Sequence, residues 1–457
     1  ASTMNRWDPG YRPIERSPKG INKIQVGPPL ILSLSFVAVI FLGTVILKLP
    51  MMTHEPISWI QSLFTSTSAV TVTGLVVVDT GSVFTTAGQA VIAVLIQLGG
   101  LGLMTFAIVT LIALGSKISF LQQSAVKEAF NQTDLSTLVS TAKSVLIFAF
   151  FVELVGFCIL SAYWMQEKGV SEALFHAFFY TISAFNNAGF ALSGDSLSAY
   201  VGDPIINITI SALFIIGGLG FSVWIELHKK RRWQRISVYA KTMILGTLIV
   251  NVTAFLLIFV IESDNPATLA NLDTQSALWA SWFQAVTPRT AGFNTLDIAS
   301  LEDPTTALML LLMFIGGGSM STASGIKLMT FIVLIIAAYN YIQRGAAPRL
   351  FGRTISNDTI SKALALTMIS IGITWIAIFL LLMSEKADFL DIVFEAVSAL
   401  GTVGLSRGLT GELSNSGEWI IILLMYAGRL GPLTLAYFIA SPRISRIKYP
   451  EAKLAIG

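Results

Sequence analysis

Ser68-Ala69-Val70-Thr71-Val72-Thr73-Gly74-Leu75 closes a short, half-apolar run, and three later stretches read like it. They are Ser183-Ala184-Phe185-Asn186-Asn187-Ala188-Gly189-Phe190, Val286-Thr287-Pro288-Arg289-Thr290-Ala291-Gly292-Phe293 and Ser398-Ala399-Leu400-Gly401-Thr402-Val403-Gly404-Leu405. Their glycines lie 115, 103 and 112 residues apart, close to a quarter of the 457-residue chain each. A glycine that closes one helix is an ordinary cap. Four at matched positions in matched surroundings mark an internal repeat, which must be recognised before any fold is named.

Each stretch sits between two long apolar segments. These fall near 29–49 and 83–114, 142–165 and 200–226, 238–262 and 305–343, and 361–384 and 417–440, with the short runs near 57–70, 172–185, 273–287 and 388–400. A short run of about thirteen residues reaches about 20 Å as a helix and cannot cross a ~30 Å hydrocarbon core. It suits a re-entrant loop, whose irregular backbone is tolerated at membrane depth only inside protein or along water. The sequence thus predicts an all-α membrane protein with eight transmembrane helices and four re-entrant pore loops around a pseudo-fourfold axis. The expected divisions are an N-terminal segment 1–28, pore units 29–114, 142–228, 238–345 and 361–440, linkers 115–141, 229–237 and 346–360, and a tail 441–457.

Composition agrees: 54% of residues are hydrophobic and 12% charged, about half the charge of a soluble domain. Cys158 is the only cysteine, so no intramolecular disulfide forms, and His54, His176 and His228 lack metal-ligand spacing. No Walker motif or catalytic constellation is legible, which argues against an enzyme. About two dozen polar residues precede the first apolar run, which lacks a small-residue cleavage site, so no cleaved export signal is expected. With eight spans, 22 of the 29 lysines and arginines fall at the termini and the linkers with their flanks. The positive-inside rule then places both termini in the cytoplasm of a multi-pass plasma-membrane protein. The dense Lys229–Arg235 linker reads as a topology determinant touching lipid headgroups, or as contact with a cytosolic partner.

A cation leaving water needs oxygens from several sides at once. Four strands around an axis supply them, glycine permits the backbone angles that aim carbonyls inward, and each short helix turns its partly negative C-terminus to the same place. The ion-contacting backbone is read as Thr71, Val72, Thr73, Gly74; Asn186, Asn187, Ala188, Gly189; Arg289, Thr290, Ala291, Gly292; and Gly401, Thr402, Val403, Gly404. Arg289 would contribute backbone alone, its side chain turned back toward a supporting acidic residue.

The stretches Thr71–Gly74, Asn187–Phe190, Pro288–Phe293 and Thr402–Leu405 resemble the four filters of the Trk/Ktr/HKT superfamily, over nearly the whole chain. The lack of additional spans before the first unit is closer to the shorter Ktr members. The resemblance implies potassium transport by a homodimer, each protomer with its own pore, above a cytosolic nucleotide-binding KtrA-like ring. Potassium is then the transported ion, no prosthetic group is expected, and nucleotide belongs to the partner alone. Membrane lipids are the other expected contact, and nothing points to nucleic acid. Glycine in all four filters is similar to the potassium-conducting members.

Segment 305–343 would be nearly 60 Å long as one helix, and Gly316, Gly317, Gly318, Ser319, Met320, Ser321, Thr322, Ala323, Ser324 and Gly325 interrupt it. Glycine costs about 1 kcal/mol in a helix interior, so a break is expected: a packing kink, or a loop below the filters that obstructs permeation, as the resemblance also implies. Arg429 is a charge inside an apolar span, functional by default. It either bonds the loop and holds it shut or serves structure, with Glu153 a conceivable partner. Lys327, just past the loop, is expected in a hydrated cytosolic vestibule. Beside the potassium pathway stand an alternating-access carrier for sodium or another monovalent cation and a non-transporting scaffold, for which four polar re-entrant loops have no use.

Overall fold

The computed structural model describes residues 28–102, 135–318, 321–322, 326–345 and 347–431. They are almost entirely helical, with one two-residue hairpin, β1 (Arg349–Leu350) and β2 (Arg353–Thr354). In chain order the helices begin with α1 (Pro28–Leu47), α2 (Trp59–Val70), the single turn α3 (Thr80–Val83) and α4 (Thr86–Gly100). Next come α5 (Leu135–Trp164), α6 (Val170–Phe185), α7 (Pro204–Leu219) and α8 (Phe221–Lys229), then α9 (Val238–Glu262), α10 (Thr274–Val286), α11 (Asp303–Phe314) and α12 (Leu328–Ile342). The last are α13 (Asn357–Ser384), α14 (Phe389–Gly401) and α15 (Asn415–Leu430).

Among the described residues three helices are long and apolar enough to cross a bilayer: Ser140–Trp164 within α5, α9 and α13. Phe150, Phe151, Val260, Phe379 and Met383 on them are more than half exposed. Apolar rings and chains displayed outward in this way suit hydrocarbon rather than water as the surrounding medium. The chain is a multi-pass membrane protein.

Helix starts follow capping groups rather than the edge of the apolar runs. The Ser356 hydroxyl accepts the Thr359 amide at 3.2 Å, so α13 begins inside the stretch expected to be linker. The described part of α5 starts at Leu135, inside the expected 115–141 linker. Two long segments are not straight. Residues 200–226 split into α7 and α8, bent by 88° at Gly220, whose φ of +112° no side-chain-bearing residue adopts readily. Residues 305–343 split into α11 and α12, and their facing ends are joined by Gly316 N–H donating to Ile326 O at 2.6 Å. The chain therefore leaves the helix and returns at nearly the same point.

Packing orders the short helices. α2 lies against α1 and α4, α6 against α5 and α7, α10 against α9, and α14 against α13 and α15. In addition α4 packs on α6, α7 on α10, α11 on α14, and α15 back on α2, closing a circuit.

Carboxylates staple the ends of two long helices to the helices that follow the short ones. Buried Glu262 accepts the amide of Glu302, which caps α11, at 2.9 Å. Glu385 accepts the amide and hydroxyl of Ser414, which caps α15, at 3.0 and 2.5 Å. Burial raises the Glu385 carboxyl, but the bonds from Ser414, Ser384 and the Gly417 amide outweigh it and leave its pKa below the ordinary value. A depressed carboxyl contributes stability above its unfolded pKa and loses it as pH falls through the folded one. At neutral pH Glu385→Ala is therefore expected to lower stability, by about 1 kcal/mol at this solvated site. A thermal melt in detergent checks this: the deficit should shrink as pH falls through the depressed carboxyl pKa, where the wild-type carboxyl becomes protonated too.

Candidate functional site

The four short helices end where the four glycine stretches begin, and the backbone there repeats. Gly74, Gly189, Gly292 and Gly404 have φ of +93°, +69°, +82° and +92°. Two residues earlier, Val72, Asn187, Thr290 and Thr402 are also left-handed, at +51°, +58°, +75° and +49°. A residue with a side chain costs roughly 1–2 kcal/mol in that region. Four such costs in register are maintained by surrounding structure, as happens at functional sites. The glycines were legible in the sequence; the left-handed positions before them were not, because Val, Asn and Thr carry no such preference in common.

The stretches converge. A side chain on Gly74 would strike the Ala188 carbonyl, one on Gly189 would meet Ala291 O at 2.8 Å, one on Gly292 would strike Val403 O, and one on Gly404 would strike Thr73 O. Each glycine thus faces the carbonyl before the next glycine, and the fourth faces the first stretch. The remaining residues of these stretches, Thr71, Asn186 and Gly401 among them, are buried here too.

Hydroxyls at the helix ends hold the strands from behind. Ser68 Oγ accepts Gly74 N–H at 3.0 Å and Ser398 Oγ accepts Gly404 N–H at 3.1 Å. Ser183 donates to Phe190 O at 2.8 Å, and Thr287 donates to Phe293 O at 2.5 Å. In the third stretch the hydroxyl sits five residues before the glycine instead of six, so alignment on the glycine hides it. Asn187 Nδ2 also donates to Thr290 Oγ1 at 3.2 Å, linking the second and third strands.

A second repeat went unread in the sequence. Gly99-Gly100-Leu101-Gly102, Gly217-Gly218-Leu219-Gly220 and Gly428-Arg429-Leu430-Gly431 occupy the ends of α4, α7 and α15. Gly99, Gly217 and Gly428 lie against the carbonyls of Val70, Phe185 and Leu400, where a side chain would collide. Gly102, Gly220 and Gly431 have φ of +82°, +112° and +91°. Arg429 stands where the other two copies carry glycine.

Around the interrupted segment, Gly316, Gly317 and Gly318 are buried and Ser321 is half-buried, its hydroxyl bonding Gly318 O at 2.7 Å. Ser319, Met320, Ala323, Ser324 and Gly325 lie outside the described residues. Fully buried Thr322 gathers three contacts. Its hydroxyl donates to Phe185 O at 3.2 Å, its amide to Gly217 O at 3.2 Å, and its carbonyl accepts Arg429 Nη1 at 2.7 Å. Gly318 N–H donates to Gly218 O at 2.8 Å. Arg429 Nη2 donates to the Gly99 carbonyl and to Gly100 O at 3.3 Å. One guanidinium thus spans from α15 to the end of α4 and to the loop. Lys327 is the half-buried residue that precedes α12.

Two expectations need correcting. Arg289 does turn its side chain away from the strand, but what it meets is the Asn251 amide oxygen, 3.4 Å from Nη1, and among the described residues no carboxylate pairs with it. Among the described residues its Nε has no partner, and Arg289 lines a small cavity together with Thr247, Asn251, Gly218 and Gly317. Glu153 is engaged elsewhere than at Arg429: it accepts Gln97 Nε2 at 3.1 Å and Asn186 Nδ2 at 3.3 Å, beside the second stretch.

Residues 30–447 match the family model described as TrkH, a cation transport protein. The chain is 47% identical over 439 residues to the Ktr system potassium uptake protein B of Bacillus subtilis, covering 96% of this chain and 99% of that one. It is 41% identical to the protein of the same name from Vibrio alginolyticus, over 95% and 96% of the two lengths. The crystal structure of the potassium transporter TrkH from Vibrio parahaemolyticus superposes with a TM-score of 0.75 at 20% identity, over 93% of this chain and 87% of that one. The relatives are transporters, not enzymes, and the chain belongs with them to the TrkH family of cation transport proteins.

Proposed function

We propose that the chain takes up potassium across the plasma membrane through a pathway lined by the four glycine stretches, with the 316–325 loop as its gate. The observation that carries the reading is the circuit of glycines, each facing the next stretch's carbonyl. Backbone oxygens arriving from four quarters replace the water shell of a monovalent cation, and four helix C-termini add negative potential at the same point. The four helix groups then stand about a pseudo-fourfold axis, as eight membrane-crossing elements of which α11 and α12 form one broken crossing.

The loop supplies the gate. Thr322 docks onto the C-terminal carbonyl of α6, just below the second stretch, and Arg429 holds it there. In this reading both termini are cytoplasmic, the functional unit is a homodimer, and a cytosolic nucleotide-binding subunit moves the loop. The names of the Ktr relatives, each a component of a system, agree with such a partner.

The test is potassium and sodium flux into proteoliposomes. Wild type should pass potassium in preference to sodium. Gly74→Ser should erode that preference, since a side chain there meets Ala188 O, and deleting 316–325 should raise flux. Potassium uptake strictly coupled to a sodium gradient, with no uncoupled flux, would favour the carrier.

A further inference from the structure

Past its glycine each strand runs on toward the next long helix, and the contact made to it by the short helix differs among the quarters. Nine residues before Gly189, Tyr180 on α6 accepts the Leu192 amide on its hydroxyl at 3.0 Å. In the third quarter Gln284 on α10, with its carboxamide oxygen turned to the strand, accepts the Thr295 and Leu296 amides at 3.0 and 3.1 Å. Thr65, nine residues before Gly74, bonds Gln61 O of its own helix at 2.9 Å. Nine residues before Gly404 stands a carboxylate, Glu395, with no exposed surface.

Ser406 donates its hydroxyl to Glu395 Oε2 at 2.7 Å, and Thr410 donates its hydroxyl to Oε1. One turn earlier on α14, Asp391 pairs with Arg407 at 2.7 Å, and Arg407 Nη1 donates to Thr306 on α11 at 3.1 Å. Among the described residues no lysine or arginine pairs with Glu395. Burying a carboxylate with two hydroxyls as its partners is a poor way to gain stability, since a packed apolar group at such a site commonly does as well or better. What the carboxylate does supply is two acceptors at a fixed spacing, bridging residues 406 and 410.

We propose that Glu395 is a positioning residue for ion discrimination: it holds the outer part of the fourth strand so that the Val403 and Gly404 carbonyls keep the spacing that favours potassium over sodium. The proposal rests on the four-strand reading of the pathway. On the inner side the strand is held by Val403 N–H on Ser398 O at 2.8 Å and Gly404 N–H on Ser398 Oγ at 3.1 Å. On the outer side, Glu395 and the Asp391–Arg407 pair take over. Without Glu395 the outer end is held by the Asp391–Arg407 pair alone, and a displaced carbonyl changes the number and field of oxygens the ion meets.

The experiment compares potassium and sodium flux of the full chain in proteoliposomes for wild type, Glu395→Ala, Glu395→Gln and Ser406→Ala. Glu395→Ala should lower potassium-over-sodium discrimination by about tenfold, equivalent to about 1.4 kcal/mol, while potassium still passes. Ser406→Ala, at a half-buried site where it also removes the acceptor of the Gly408 amide, should lower it in the same direction by less. Glu395→Gln should retain it, because a hydroxyl can rotate to accept from the new amide as readily as it donated to the carboxylate. Wild-type discrimination in both Glu395→Ala and Ser406→Ala overturns the proposal. So does a Glu395→Gln variant as impaired as Glu395→Ala, which would make charge rather than placement the active property. A wild type that passes no potassium in the same vesicles counts against the pathway itself, a different failure from either of these.

Discussion

Gly404→Ala is expected to abolish potassium transport, by at least about 100-fold, while the protein still folds and extracts from the membrane. Two costs fall on one residue. At φ of +92° alanine is disfavoured by roughly 1–2 kcal/mol. Its methyl group would also occupy the space of Thr73 O, and Gly74 Cα lies 3.1 Å from the same point. Relief requires the first strand to move, and the group displaced is one of the oxygens proposed to hold the ion. The penalty is therefore read in transport more than in stability: an overlap of this kind can be relieved by a small strand shift that the helices tolerate, whereas an ion cage loses a ligand. Rubidium or potassium uptake in proteoliposomes, beside a melting curve, measures both. Selective flux within about threefold of wild type, in a variant confirmed by sequencing, would remove the fourth strand from the pathway.

Arg429→Ala should act in the opposite direction and raise flux. The guanidinium donates to Thr322 O, Gly99 O and Gly100 O, three carbonyls on two elements. A hydrogen bond from a charged donor contributes about 1.5–3 kcal/mol, so losing the Thr322 bond alone shifts the docked-to-released equilibrium of the loop by roughly 10- to 150-fold. Flux rises less than the equilibrium does, because it saturates once the loop is mostly released. Alanine also leaves Gly99 O and Gly100 O buried without their donor, which costs stability at the end of α4. Arg429→Lys separates the two effects: it restores charge but cannot span both elements, so it should remain partly released. Single-channel or stopped-flow flux recordings that leave Arg429→Ala and wild type indistinguishable would assign the arginine to structure. Restoring docking by a further substitution at Thr322 is not expected, since the carbonyl, not the side chain, receives the arginine.

Gly74, Gly189, Gly292 and Gly404 were visible in the sequence because glycine is the residue that left-handed backbone selects, and the selection acts locally. The short helices were visible for a similar reason: an apolar run too short to span a bilayer is a property of length alone. The break in 305–343 followed from glycine and serine content. By contrast, the bend at Gly220 lay in a run as apolar as any span, and only the packing of Gly217 on Phe185 O shows why the helix stops there. Arg289 was expected to find an acid because a buried charge usually does; it bonds instead to Asn251, 38 residues earlier in the chain, which no local pattern announces.

Sequence alone determined the class of protein, the fourfold recurrence of the short runs and the residues that close them, because hydropathy, segment length and glycine content are local quantities that need no partner. Tertiary structure decided which groups meet: Gly404 with Thr73 O, Arg429 with Thr322 O, and Glu395 with Ser406. Those meetings join residues 11 to 331 positions apart. They depend on how helices pack against one another, and a hydrogen bond across such a distance leaves no mark on the order of the residues that make it.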